Sequence, residues 1–446
     1  MPRLLADMTP LRVSPEYRRL WWGLGISNIG AQLTVVAVGL QIFALTGSTL
    51  AVGTLGLFAL VPLVALGLYG GALVDRHDRR RISLIASGAL WIITVLIALQ
   101  AWFNLENVHL LYWLVAAQSA AYAVNNPARS AIIPRLLPAD LMPAANALQT
   151  LTTNIALTGG PLVGAALVAA GGYQWAYTID AIFFTAALWA VWRLPAIPPL
   201  HPADTDEAVA QAAVGTPAGA PQAPQRMSGF ASVVDGLRYL ATRPNLRASF
   251  VADLCAMVLS FPRVLWPAAG VIYLGGGDTT TGVLSAAFAV GGILATLFSG
   301  PLGLVHRQGR AVIYAVTAWS LSIAAFGLVL VGTGRGTPSG VLWAALAVAC
   351  LTLLVAGGSD AVSSVFRQSI LQTAAPDHMR GRLQGVFIVV VAGGPRLGDL
   401  WLGAQAHWFT EGWAAVAGGL TCLVAVWLLA WRTPRFWRYD ARHPEP

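Results

Sequence analysis

The sequence predicts an all-α polytopic membrane protein of about twelve transmembrane helices in two six-helix pseudo-repeat bundles. Three observations carry this prediction. Hydrophobic residues make up 57% of the 446 and charged residues only 10%, with a mean hydropathy of +0.66, where a soluble domain carries roughly 25% charge. From Leu20 to Val74 no side chain is charged, and a span needs only about 20 apolar residues. Arginine is crowded into alternate loops, and short motifs return in the second half at a nearly constant offset.

Residues 1–19 form an N-terminal tail with Arg3, Arg12, Arg18 and Arg19 but no signal-peptide apolar core. Interfacial Trp21 and Trp22 open the first span. Residues 20–197 hold six apolar runs, near 20–45, 49–74, 82–103, 108–130, 144–170 and 175–195. Residues 198–228 are rich in Pro, Ala, Gln and Gly without periodicity and read as a flexible linker. Residues 229–433 hold six more runs, near 247–273, 281–304, 310–331, 340–366, 383–407 and 412–432. The segment Gly229–Leu240 before them has helically spaced apolar residues, as a helix lying on the membrane surface does. Residues 434–446 form a second tail.

Lys+Arg total 27 against Asp+Glu 19, a net charge of +8, and every one of those cations is arginine. Without lysine there is no P-loop and no Schiff base, hence no ATPase domain in this chain. The positive charge lies in short loops, so it reads as a topology determinant and not as a nucleic-acid footprint. One set of loops holds Arg76, Arg79, Arg80, Arg81, Arg135, Arg226, Arg238, Arg243, Arg307, Arg310, Arg380 and Arg382. The opposite set holds only Arg335, with Glu106, Asp278 and Glu411. By the positive-inside rule both termini are expected in the cytoplasm. Cys255, Cys350 and Cys422 lie singly in apolar runs and the histidines show no ligand spacing, so neither a metal site nor any cofactor is expected.

The two halves repeat. Aligning Arg76 with Arg307 gives an offset of 231 and puts Arg79 on Arg310. Gly159-Gly-Pro-Leu-Val-Gly164 matches Gly393-Gly-Pro-Arg-Leu-Gly398 at 234, and Arg129 matches Arg367 at 238. Repeated halves around a site at the membrane midplane are the design of alternating-access carriers.

The segment GALVDRHDRR resembles the loop motif of the major facilitator superfamily, G-x-L-x-D-R-x-G-R-R. Gly71, Leu73, Asp75, Arg76, Arg79 and Arg80 match, while Asp78 replaces the second glycine. In the second copy Arg307 and Arg310 are present but His306 stands for the acid. The resemblance implies that these residues latch the halves together in one state of the cycle. The segments NNPARSAIIPRLLPADLMPAANAL, FPRVLWPAA and SILQTAAPDHMRGRLQGVF are similar to the enterobactin-exporter-like and drug-efflux branch. That implies a proton-gradient-driven antiporter in a bacterial inner membrane, working as a monomer. Its expected cargo is a small organic molecule, a catecholate siderophore or a drug.

A charge at the bilayer centre costs roughly 2.5–3.5 kcal/mol, so such residues face a cavity or a partner. Asp360, Asp253 and Asp399 are the candidates for carrying a proton, since a carboxyl group removed from water exchanges its proton nearer neutral pH. Asp253 has a second reading, pairing with Arg247 near the cytoplasm. Arg263 and Asp399 fall at similar depth, so Arg263 is expected to pair with Asp399, either statically or in alternation with an anionic substrate. Arg396–Asp399, three residues apart, is the other possible pair. Arg129 and Arg367 read as helix-end cations, and Asp180 as the cap of span six. Arg396, Gln32, Gln118, Tyr122, Asn125 and Trp266 complete the expected cavity. A non-transporting receptor and an enzyme are the competing classes. Against an enzyme, the spans offer no nucleophile–base motif.

Overall fold

A computed structural model gives the fold and describes residues 8–76, 78–138, 141–195, 229–298, 302 and 305–443. The predicted linker 198–228 lies outside the described residues, as do the surroundings of Gly71 and the side chains of Asp75 and Arg76. Among the described residues there is no strand, and ten helices are long and apolar enough to cross a membrane. In the first half the spans are Pro15–Thr46, Thr49–Arg76, Arg79–Trp102, Val108–Leu136, Met142–Gly171 and Tyr173–Trp192. In the second they are Pro244–Tyr273, Gly277–Leu297, Gln308–Thr333, Trp343–Ala374, Asp377–Trp408 and Glu411–Arg432. Spans four and eleven, Val108–Leu136 and Asp377–Trp408, are full-length helices outside those ten.

The chain's own signals set many helix ends. Ser14, Asn107 and Thr410 each accept a backbone N–H from the first turn of spans one, four and twelve. Asp78, standing where the loop motif has its second glycine, does the same for span three, accepting from the N–H groups of Arg80 and Arg81 at 2.8 and 3.2 Å. Gly275, Gly276 and Gly277, all at positive φ (73°, 78° and 57°), make the tight turn between spans seven and eight. Span seven itself is broken. Pro262 lacks an N–H and forces Phe261 into an extended conformation, and Pro262–Leu265 continues as a 3-10 turn before a π-turn at Ala269–Tyr273.

Both halves pack in one pattern. Span one lies on spans five and six, span four on two and three, and span three on six; spans seven to twelve repeat each of these pairings. The halves meet through span two against eleven and span five against eight, two contacts that the same repeat interconverts. Glycines allow the approach. A Cβ on Gly56 would lie 2.6 Å from the carbonyl oxygen of Arg396, and Gly53 faces the backbone of Asp399 just as closely. The helix Gly229–Thr242 touches both span two and span eleven. The C-terminal tail folds back on its own half. Arg310 stacks on Trp437 at 5.2 Å, and Ala441 N–H donates to the carbonyl of His306.

Gly56→Val is expected to overpack the seam, at a cost of about 1–3 kcal/mol. A Cβ on Gly67 meets nothing within 4 Å, so Gly67→Val should leave stability unchanged. Thermal unfolding of the purified protein checks both.

Candidate functional site

Spans one, two, four, five, seven, eight, ten and eleven surround a central cavity of about 480 Å³. Spans three, six, nine and twelve contribute none of its lining among the described residues. Its walls are chiefly apolar and aromatic, with Phe261, Trp266 and Phe288 on one side and Val35, Val115 and Leu157 on the other. Gln32, Gln118, Arg263, Asp360, Arg396 and Asp399 supply its amide and charged groups, and threonines and serines its hydroxyls. A mostly apolar pocket with few placed polar groups is the usual form of a small-molecule site.

Two ionic clusters hold the charges. In the first, Arg263, on the 3-10 turn that follows the break in span seven, pairs with Asp399 of span eleven. Its guanidinium also lies over the Phe261 ring, 5.6 Å from the centroid. Gly398 brings the backbone of span eleven against that of Met257 in span seven, which sets the two helices at pairing distance. In the second cluster, Arg367 is buried and reaches two acids. Asp253 of span seven lies 2.7 Å away, and Asp360 of span ten 3.7 Å away. Asp253 is as buried as Arg367, whereas Asp360 is partly exposed and faces the cavity.

Two features differ from the sequence expectation for one reason: helices continue past their apolar runs. Span ten runs to Ala374, so Arg367 lies inside the helix bundle instead of at a helix end. Asp253 therefore pairs with Arg367, while Arg247 donates to the carbonyl of Ala241. Arg129 likewise lies within span four, over the Phe184 ring and donating to Ser87 at 3.1 Å.

Asn125 is buried against span three, accepting from Ser83 and Ser87. Tyr122 is half exposed, and neither residue lines the cavity. In the loop motif, Arg80 donates to the carbonyl of Trp192 at 2.6 Å, inside its own half. Arg307 precedes the first turn of span nine, and Arg310 is occupied by the tail.

Sequence reasoning missed two acids. Glu411, read as a loop residue, is buried at the end of the molecule remote from the termini and joins the halves. It accepts hydrogen bonds from Thr49 of span two and Tyr273 of span seven, each at 2.8 Å, with Arg335 at 3.8 Å. The signal was Thr410, a good helix cap placing Glu411 in the first turn. Asp180, read as a cap, lies within span six and hydrogen-bonds Thr34 of span one. Gly172 begins that helix, so the two glycines Gly171–Gly172 marked its start.

Comparison with known proteins agrees with this architecture. A family model described as Major Facilitator Superfamily matches residues 20–398. The enterobactin exporter EntS of Shigella boydii serotype 18 is 28% identical over 421 residues, covering 94% of this chain and 92% of that one. The protein of that name from Escherichia coli O9:H4 (strain HS) matches to the same extent. Among solved structures, the nucleoside transporter NupG is 15% identical with a TM-score of 0.65, covering 95% of this chain and 100% of that one. A D-xylose-proton symporter is 13% identical with a TM-score of 0.66, covering 94% and 97%. At those identities the two structures speak for the fold alone.

Removing one member of a buried pair strands the other as an uncompensated charge, which costs about 3–5 kcal/mol. Arg367→Gln should therefore lower Tm strongly, and adding Asp253→Asn should restore most of the loss. Thermal unfolding of the single and double variants checks this.

Proposed function

The chain belongs to the major facilitator superfamily, and from that premise we propose that it is a proton-coupled exporter of a small organic molecule, working by alternating access. It is a multi-pass membrane transporter and not an enzyme. One observation carries the finer reading. A central, aromatic-walled cavity holds a carboxylate, Asp360, whose arginine partner is shared with a second, fully buried acid. Asp360 is the carrier of the proton. When it is protonated, Arg367 keeps Asp253 as its counter-ion and the cluster is neutral; when it is unloaded, the two carboxylates share one guanidinium and Asp360 bears the excess charge towards the cavity. One charge crossing 100 mV is worth about 2.3 kcal/mol, which supports a cargo gradient of roughly fiftyfold.

Asp399 holds Arg263 in the empty carrier and releases it to an anionic group on the cargo, with Arg396 beside it. Gln32, Gln118 and Trp266 orient the rest of the molecule. The name of the curated relatives and the aromatic walls favour a catecholate siderophore; the apolar remainder of the lining equally suits a drug-like amphiphile. Both termini stand in the cytoplasm of a bacterial cell, and the loop residues Gly71, Asp75, Arg76, Arg79, Arg80, Arg307 and Arg310 latch the halves on that face. Glu411 is the matching clamp on the outer face. The cavity is built within one chain, which supports a monomer as the working unit.

Inside-out vesicles with an imposed proton gradient, scored against a panel of siderophores and antibiotics, test the reading. Gradient-dependent uptake is expected, and its absence for every cargo rejects it. Asp360→Asn should abolish the response to the gradient while leaving cargo exchange intact. Arg263→Ala, made together with Asp399→Asn so that no buried carboxylate is stranded, should weaken anionic cargo by about tenfold, the loss of one charge-assisted hydrogen bond, and leave neutral cargo unaffected.

A further inference from the structure

The two ionic clusters account for Asp253, Asp360 and Asp399, but not for Asp180. This residue is 1% exposed within span six. Its Oδ2 shares a hydrogen bond of 2.5 Å with Thr34 Oγ1 of span one, and its Oδ1 is buried without a partner. The backbone of span one closes over that oxygen, since a Cβ on Gly30 would lie 2.5 Å from Oδ1. Thr34 also lines the central cavity. Its hydroxyl therefore stands between the cavity and the carboxyl.

Among the described residues no cation faces Asp180 from a helix packed against it. On span one the charged groups are Glu16, Arg18 and Arg19, and Thr34 is fifteen residues beyond Arg19, roughly 22 Å along the axis. On span three they are Arg79, Arg80 and Arg81, at that helix's first turn. Span five, Met142–Gly171, carries none. Arg129 of span four is held by Ser87 and covered by the Phe184 ring, one turn along span six. The neighbouring Tyr177 hydroxyl donates to Gln41. An ionised carboxylate so placed would be a buried charge with a single neutral donor, which costs several kcal/mol. The neutral acid carries no such penalty, and with its proton in place either oxygen of the Thr34–Asp180 pair can donate to the other.

We propose that Asp180 and Thr34 form a second proton-binding site, in the first half of the molecule, occupied in this conformation and exchanging its proton with the cavity through the Thr34 hydroxyl. This goes beyond Asp360 as the coupling acid, because the occupancy of Asp180 does not depend on which acid drives transport or on its direction. The first half thus contains a proton ligand where the second half contains ion pairs.

Infrared difference spectroscopy of the full-length protein in liposomes tests this without any cargo. At neutral pH a carboxylic-acid C=O band is expected that disappears in Asp180→Asn and persists in Asp360→Asn. A band indifferent to Asp180→Asn means that the carboxyl is ionised and overturns the proposal, whatever vesicle transport shows. Should Asp180→Asn fail to fold, Asp180→Glu is used instead; a shifted band supports the site and an unshifted one overturns it. Transfer to deuterated buffer reads the route. In Thr34→Val, exchange of the Asp180 proton should slow by about tenfold, as loss of one relaying hydrogen bond implies. Equal exchange rates in the two proteins overturn the relay.

Discussion

The pairing of Arg263 with Asp399 is the interaction on which the rest of the structure depends. Neither charge is tolerable in lipid alone, so spans seven and eleven must stay side by side wherever the pair exists. Keeping them there requires Gly398 against Met257, and the same length of span eleven presses its backbone on Gly53 and Gly56 of span two. The ion pair, the helix contact and the seam between the halves thus occupy one level of the molecule. The cavity opens at that level because the break at Phe261–Pro262 turns Arg263 and Trp266 inward.

The two halves share a packing pattern and differ in chemistry. In the first half the buried polar groups are mostly neutral. Gln41 and Gln100 exchange amide hydrogen bonds with Tyr177 added, and Asn125 bridges Ser83 and Ser87. In the second half, Arg263, Arg367, Asp253, Asp360 and Asp399 form ionic clusters. Neutral amide networks fix helices against one another at little desolvation cost. Ionic ones can change partners when one member gains a proton or meets a charged guest. The repeat therefore builds, from one fold, a half held mainly by neutral polar contacts and a half held mainly by ionic ones.

Much of this was legible in the sequence. Hydropathy and arginine placement gave the spans, because a lipid environment imposes length and charge asymmetry on any chain that crosses it. The match in depth between Arg263 and Asp399 was readable from helical rise alone. Helix ends were not, since a helix such as Trp343–Ala374 continues beyond its apolar run, and that error misplaced Arg367. Glu411 escaped because it follows a turn, and no local pattern reveals that Thr49, 362 residues away, closes over it. Asp180 escaped for a related reason, its partner Thr34 lying 146 residues earlier.

The interruption of span seven has a mechanical consequence. No continuous ladder of backbone hydrogen bonds passes Phe261, so the helix behaves as two rods meeting at a joint and not as one beam. The rod bearing Asp253 is anchored by Arg367, while the stub bearing Arg263 and Trp266 is held by its own ion pair, by Tyr273 on Glu411 and by span eight, whose Thr281 donates to the carbonyl of Trp266. A guest that drew Arg263 away from Asp399 would remove one tether of the shorter rod at that joint and none of the longer rod's.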